Sequence, residues 1–409
     1  MSSQRALRQC VRLTHHHRAR LQTTSVLIPR RTYAKRTPAK RQPGATIQHS
    51  MGGIFEPFLQ QETAVKTPNP VISPGELLEN RTVEDLLPSE EQLEMLIKQK
   101  QTTLSVEKQK ELVRLVLDHY QENADLPDLT NVAGSAGELA ALGNIVLRGS
   151  KYGAPVALEL YRAAMDAGDD RGAFSFANMV YRGYRGTEKN EDLGVRILSE
   201  LARKGHPYAQ MNLASILMRT QSDQVPAAIK LYELAARSID SAYVELGRMY
   251  RIGYGVHQDH SKAIEYFEKG AQKGNPQCNF MLGVYYSTPG KVVDLDQAKA
   301  FKYFQKAAMR GLPEAQYNVG LRFLKGHGVE TNPYNAAEFF RMAAMQGFQL
   351  AQANLANMYL QGHGVRKDMD EGRTWLGKAA ERGGSIGEEC KKRLNELDGI
   401  PQDKPRCTI

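Results

Sequence analysis

One five-residue phrase, repeated at a fixed interval, constrains the fold of this chain more than any other feature. Lys325-Gly326-His327-Gly328-Val329 returns 36 residues later as Gln361-Gly362-His363-Gly364-Val365. The agreement spreads outward from the phrase. Phe304, Ala307, Ala308, Gly311, Ala315, Val319, Gly320 and Phe323 align with Phe340, Ala343, Ala344, Gly347, Ala351, Leu355, Ala356 and Tyr359. The same frame opens at Ala157, Gly194, Ala228, Ala263, Ala300, Ala336 and Gly372, and a half-unit carrying Leu142 and Gly143 precedes them. Seven units and a fragment in one register mean a single supersecondary element used repeatedly, each copy burying its apolar face against its neighbours.

The spacing identifies that element. Residues four, seven and eight after the opening alanine share one face of a helix, and Ala315, Val319 and Phe323 share one face of a second helix. Paired alanines let two helices approach closely. Gly311 and Gly347 stand where a helix stops in a left-handed residue. Each unit is therefore predicted to be a helical hairpin and the fold class all-α. The GxGV phrase reads as the joint between hairpins, because Tyr254 replaces the histidine in the copy Gly253-Tyr254-Gly255-Val256, a change that a metal or phosphate ligand would not tolerate.

This pattern resembles the Sel1-like repeat, a 36-residue relative of the tetratricopeptide repeat, over about residues 130 to 395. The resemblance implies a right-handed α-α superhelix, or solenoid, serving as an adaptor without enzyme activity of its own. It also implies a concave groove lined by the helix that carries the Leu-Gly pair. The residues just after that pair are Asn144, Asn178, Ser215, Arg248, Val284, Leu321 and Asn357; four further on, or three for Arg251, come Arg148, Arg182, Arg219, Arg251 and Lys325. Neither set contains an acid. The candidate groove thus comprises Asn144, Arg148, Asn178, Arg182, Arg219, Arg248, Arg251, Lys325 and Asn357, a basic stripe flanked by amides. Arginine forks match carboxylates, and asparagine can bond a peptide backbone, so an acidic extended peptide is one expected ligand. A cation in the last turn of a helix also simply offsets the macrodipole, and both readings stand at this point. The pattern departs from the tetratricopeptide carboxylate clamp, which needs Lys and Asn at fixed spacing within one helix. Val284, Leu321, Leu324 and Leu360 make the far end of the groove more apolar.

Charge is distributed unevenly. The chain carries a formal +9, but residues 1 to 41 hold eleven Arg and Lys and no acid, leaving the remainder at −2. Arg5, Arg8 and Arg12 share one side of a helix and Leu7, Cys10 and Val11 the other, the form of a mitochondrial transit peptide over 1–33. Arg31 to Ala34 reads as a matrix-processing site cut after Tyr33. A basic tail that binds RNA or acidic lipid is the alternative. No run of sequence reaches the roughly 18 to 20 apolar residues of a membrane span.

The expected organisation is a Pro-rich disordered linker over 34–88, N-terminal helices over 89–130, the repeat array over 131–386, and a C-terminal capping helix and tail over 387–409. Ser89 and Gln92 are read as a capping box. Trp375 is expected to pack on the final helix. His15 to His17 are filler in the leader, Asp259 caps a helix, and Cys278 fills a small-residue core slot. Cys10, Cys278, Cys390 and Cys407 show neither zinc nor disulfide spacing. No phosphate-loop, dinucleotide-binding, zinc-protease or serine-hydrolase motif is present, so no cofactor, metal or catalytic residue is expected.

The expected role is a non-catalytic mitochondrial scaffold for protein or peptide clients, either free in the matrix or peripheral to the inner membrane. Its layout resembles fungal matrix factors that help cytochrome oxidase subunit 2 cross or assemble in the inner membrane. Stress signalling, as in animal Sel1-like mitochondrial proteins, and RNA binding on the arginine stripe are alternatives, the near-neutral mature charge weighing against RNA.

Overall fold

The computed structural model describes residues 72–220, 224–290 and 292–399. The expected leader, the linker up to 71, Cys10, the His15–His17 tract and the tail from 400 with Cys407 lie outside the described residues. Among the described residues the chain is all-α, with twenty helices and no strand. Five lead in: α1 (Pro74–Leu78), α2 (Val83–Leu86), α3 (Glu90–Lys98), α4 (Val106–Glu122) and α5 (Leu129–Ala133). From there the even-numbered helices carry the Leu-Gly slot and the odd-numbered ones the alanine pair. The Leu-Gly helices are α6 (Ala136–Gly149), α8 (Asp170–Arg182), α10 (Pro207–Thr220), α12 (Ser241–Ile252), α14 (Pro276–Ser287), α16 (Pro313–Lys325) and α18 (Gln349–Gln361). The alanine-pair helices are α7 (Ala154–Asp166), α9 (Glu191–Arg203), α11 (Val225–Ala235), α13 (His260–Gln272), α15 (Gln297–Met309), α17 (Pro333–Met345) and α19 (Met369–Glu381), and α20 (Gly384–Leu397) ends the series. The helices fall into two compact units, residues 72–270 and 271–399, divided near the end of α13.

Consecutive helices pack against each other within each unit, and glycine decides how. A side chain added at Gly320 would stand 2.7 Å from the Phe340 ring, at Gly283 2.8 Å from Phe304, at Gly247 2.4 Å from Phe267, and at Gly143 2.6 Å from Tyr161. The Leu-Gly slot is therefore a notch that seats an aromatic ring from the following alanine-pair helix. Where the slot holds Ala177 or Ala356, the facing residue in the same core cluster shrinks to Leu198 or Leu376. Ala214 faces Tyr232 and does not follow this exchange. A second contact recurs in three of the repeats: the side-chain amides of Gln210, Gln316 and Gln352 donate to the carbonyls of Ala202, Ala308 and Ala344 in the preceding helix at 3.2, 3.3 and 3.2 Å.

The repeated phrase is a joint. Gly326 and Gly328 sit at φ +71° and +79°, and a side chain at Gly328 would stand 2.0 Å from the carbonyl oxygen of Gln297, so only glycine fits both conformation and space. The slots of His327, His363 and Tyr254 do the same backbone work, their N–H groups donating to Arg322, Met358 and Met249. Asp259 accepts from the Lys262 N–H at 3.0 Å and caps α13, and Cys278 is fully buried.

The end of the expected linker is different from its reading as disordered chain. Residues 74–86 form α1 and α2, and Leu77, Leu78, Val83, Leu86 and Leu87 are buried, most of them in one core with α4 and α6. Pro74 lies in the first turn of α1, where a missing N–H costs nothing, and Ser73 with Glu76 completes a capping box. The Gln121 amide then ties α4 to the carbonyls of Leu78 and Arg81 at 2.7 and 2.9 Å. The capping box expected at Ser89 does not form: Ser89 is the N-cap of α3 but accepts no side-chain bond there. At the other end, α20 begins at Gly384, and Trp375 packs with Ile386, Leu394 and Leu397 of that helix.

Candidate functional site

The structure distributes the nine groove residues among three conditions. Arg148, Arg182 and Arg219 end α6, α8 and α10 in matching positions, are exposed, and form no ion pair among the described residues. These helices are neighbours: α6 packs on α8, and the Asn212 amide of α10 donates to Asn178 of α8 at 2.7 Å. Lys325, in the other unit, is likewise exposed at the end of α16.

A second group is occupied within the fold. Asn144 accepts from the Tyr161 hydroxyl at 2.8 Å. Asn178 both accepts from Asn212 and donates to the Phe174 carbonyl at 2.8 Å. Part of the hydrogen-bonding capacity of these amides is thus taken up inside the fold: Asn178 keeps one amide N–H and Asn144 its NH2 end. Arg248 lies 3.4 Å from Glu245, so an acid does adjoin the stripe one row over. Arg219, Arg248 and Glu245 all act on the Tyr232 phenol, whose pKa burial pushes up first and Glu245 second, with the two arginines opposing.

The third group is half-buried. Arg251 keeps its Nε inside without a partner while its backbone carbonyl accepts from Gln258 at 2.8 Å. Asn357 holds a buried Oδ1 without a hydrogen bond. Of the apolar residues expected at the far end of the groove, Leu360 is buried in the core with Leu376, while Val284, Leu321 and Leu324 are half-buried against the core of the second unit.

Sequence reasoning missed a cavity beside this row. Helix α3, which lies before the repeats, stands beside α6 and leaves a cavity of about 730 Å³ lined by Met95, Leu96, Ile145, Asn144, Arg148 and Arg171 among others, with no Asp or Glu in its wall. Arg171 reaches it because α6 has a glycine opposite: a side chain at Gly137 would stand 2.5 Å from the Arg171 Nη2. Gly137 was the one available signal, a glycine inside a helix where repeats have no need of one. Further along, Phe174, His206 and Tyr208 form an aromatic group with centroids 5.0 to 6.2 Å apart. Burial pushes the His206 pKa down there, against the pull of Asp170 and Asp169. Among the described residues no three His, Cys, Asp or Glu converge as a metal site, and no helix is long and apolar enough to cross a membrane.

Stacked antiparallel helix pairs with a surface of unpaired cations and half-buried aromatics define a helical-repeat solenoid of the protein-binding kind. The Sel1 repeat model matches six consecutive stretches from 177 to 384, half of the chain, and each full stretch starts on a Leu-Gly helix. The chain belongs to the Sel1 repeat family. It is similar in structure to a Sel1 repeat protein from Oxalobacter formigenes, with a TM-score of 0.54 and 23% identity over 81% of this chain and 95% of the other. It also matches a protective antigen with this fold from uropathogenic Escherichia coli (TM-score 0.30, 20% identity, 76% and 83% covered). A third match is an immunity protein from Pseudomonas aeruginosa (TM-score 0.33, 22% identity, 57% and 84% covered). These last two scores are too low to carry any argument. Comparison with curated proteins gives no match. Sel1 repeat proteins generally act as protein–protein interaction scaffolds, and the fold is typically non-catalytic.

Proposed function

We propose that this protein is a non-catalytic mitochondrial scaffold that holds protein segments during organelle biogenesis, in the manner of a respiratory-complex assembly factor. The observation that carries the binding role is the row Arg148, Arg182 and Arg219, three exposed cations in matching positions on adjacent helices, none of them paired with an acid among the described residues. One such residue can be explained by the helix dipole alone; the alignment of three on one face favours an anionic partner. The acid-free, arginine-rich first 41 residues support import into the matrix.

The experiment is a matrix pull-down of the full chain and of a triple variant, Arg148→Glu, Arg182→Glu and Arg219→Glu, together with respiration measured after deletion. Loss of the recovered partner in the variant, and a respiratory defect in the deletion, are the expected results. Unchanged recovery by the variant, or a chain that stays outside mitochondria, sinks the proposal. Partner recovery that collapses steeply with salt and with ribonuclease would replace it with RNA binding.

A further inference from the structure

We propose that the cavity between α3 and α6 is a binding site for an acidic polypeptide segment that presents an apolar side chain between two carboxylates. The proposal deepens the scaffold reading and depends on it only in taking the ligand to be a polypeptide.

The walls supply the chemistry. Met95 and Leu96 come from α3, and Ile145 comes from α6; Met95 is 51% exposed, far more than a methionine with a settled packing partner. Arg148 and Arg171 both line the cavity. Arg171 rests against Gly137, eleven residues before Arg148 on α6, so its point of contact and the Arg148 backbone are about 16 Å apart along the helix at 1.5 Å per residue. An extended peptide covers that distance in about five residues. A cavity of about 730 Å³ lies within the size range that encloses a ligand of such dimensions, and is too small for a folded helix pair.

Charge and polarity select among ligands. The cavity wall has two guanidinium groups and no carboxylate of its own; Asp169 takes the Nε side of Arg171, so an anion would be met by Arg148 and by the outer nitrogens of Arg171. The wall contains no aromatic ring, and Met95, Leu96 and Ile145 stand in it beside the amides of Gln92, Gln101 and Asn144, which offers a nucleotide base no stacking surface but suits an aliphatic side chain and a peptide backbone. The Tyr161 hydroxyl holds the oxygen of Asn144, which leaves the amide NH2 as the end available to a peptide carbonyl. Arg171 is steadied by Asp169, 3.4 Å from its Nε.

The probe is a fluorescein-labelled peptide, Glu-Ser-Leu-Leu-Ser-Glu, titrated by fluorescence anisotropy with the full-length protein. Binding is expected to weaken about tenfold in Arg148→Gln and again in Arg171→Gln, the scale of one charge-assisted hydrogen bond each. A peptide with Gln for both Glu should bind about as weakly as the double variant does to the original. Lys391→Gln, at an exposed position on α20 outside both the cavity and the arginine row, should leave peptide affinity unchanged. Thermal melts by circular dichroism confirm that each variant is folded.

No binding by the wild type, or binding indifferent to both arginines, overturns the inference. So does displacement of the peptide by a single-stranded RNA oligomer at equal charge. If the matrix partner still depends on Arg182 and Arg219 when the peptide result is negative, the scaffold reading survives and only the cavity assignment falls.

Discussion

The notch formed by Gly320 and the Phe340 ring allows the repeat architecture to be tested at one contact. A methyl group at position 320 would lie 2.7, 2.8 and 3.1 Å from three carbons of a ring that is fully buried. Carbon atoms settle at about 3.5 to 4.0 Å, so the ring or the helix must retreat by nearly an ångström. Overpacking of this size costs about 1 to 3 kcal/mol, and the better helix propensity of alanine returns about 1 kcal/mol of it. Gly320→Ala should therefore destabilise by up to about 2 kcal/mol. Phe340→Leu alone should also destabilise by about 1 to 2 kcal/mol, because it leaves a gap. Together the two changes recreate the Ala356 and Leu376 pair already present one repeat later, and should cost at least about 1 kcal/mol less than their sum. Trp375, the only tryptophan, packs on the same core cluster as Phe340, so its fluorescence in a urea titration reports the unit in question. Additive costs in the double variant would refute the notch as the determinant of how these helices pair.

Other positions test different parts of the account. Arg322 is 8% exposed, sits over the Phe304 ring at 4.8 Å and keeps Nε without a partner, while Met249 and Met358 fill the same slot in other repeats. Arg322→Met should be neutral or stabilising by up to about 2 kcal/mol, and a loss of stability in urea would show that its bonds to Gln297 and the His327 carbonyl outweigh desolvation. Gly328→Ala should cost at least about 2 kcal/mol and His327→Ala less than about 0.5 kcal/mol; the reverse order would make the phrase a site and not a joint. Burial raises the Glu138 pKa, but bonds from Thr102 and Thr103 outweigh it and the net shift is downward. A lowered carboxylate pKa contributes stability that is complete above the unfolded value of about 4.3 and lost as pH falls through the folded one. The stability gap between wild type and Glu138→Gln, about 1 kcal/mol at pH 7, should thus narrow as the pH falls below the unfolded value, followed by melting temperature, and a gap independent of pH would contradict the assignment.

The hairpins, their register and their joints are legible in the order of residues alone. Those features depend on contacts spaced within one 36-residue unit, on alanine and glycine sterics, and on left-handed residues such as Gly326, all of which leave a periodic trace. The glutamine that ties three of the helix pairs is also visible, as Gln210, Gln316 and Gln352 each directly follow the alanine slot, although its bond is not. What periodicity could not reveal was which polar groups remain for a partner. Asn178 looked free until Asn212, 34 residues away, proved to be its partner. The prolines near residue 74 read as breakers, yet the leucines after them are buried, and one lies in the first first-turn position where proline is harmless. The cavity needs α3, which belongs to no repeat, and Arg171, which reaches α6 only over Gly137. Only the tertiary structure decided these, because docking between elements of unrelated sequence is set by shape and burial, and leaves no interval in the chain to be read.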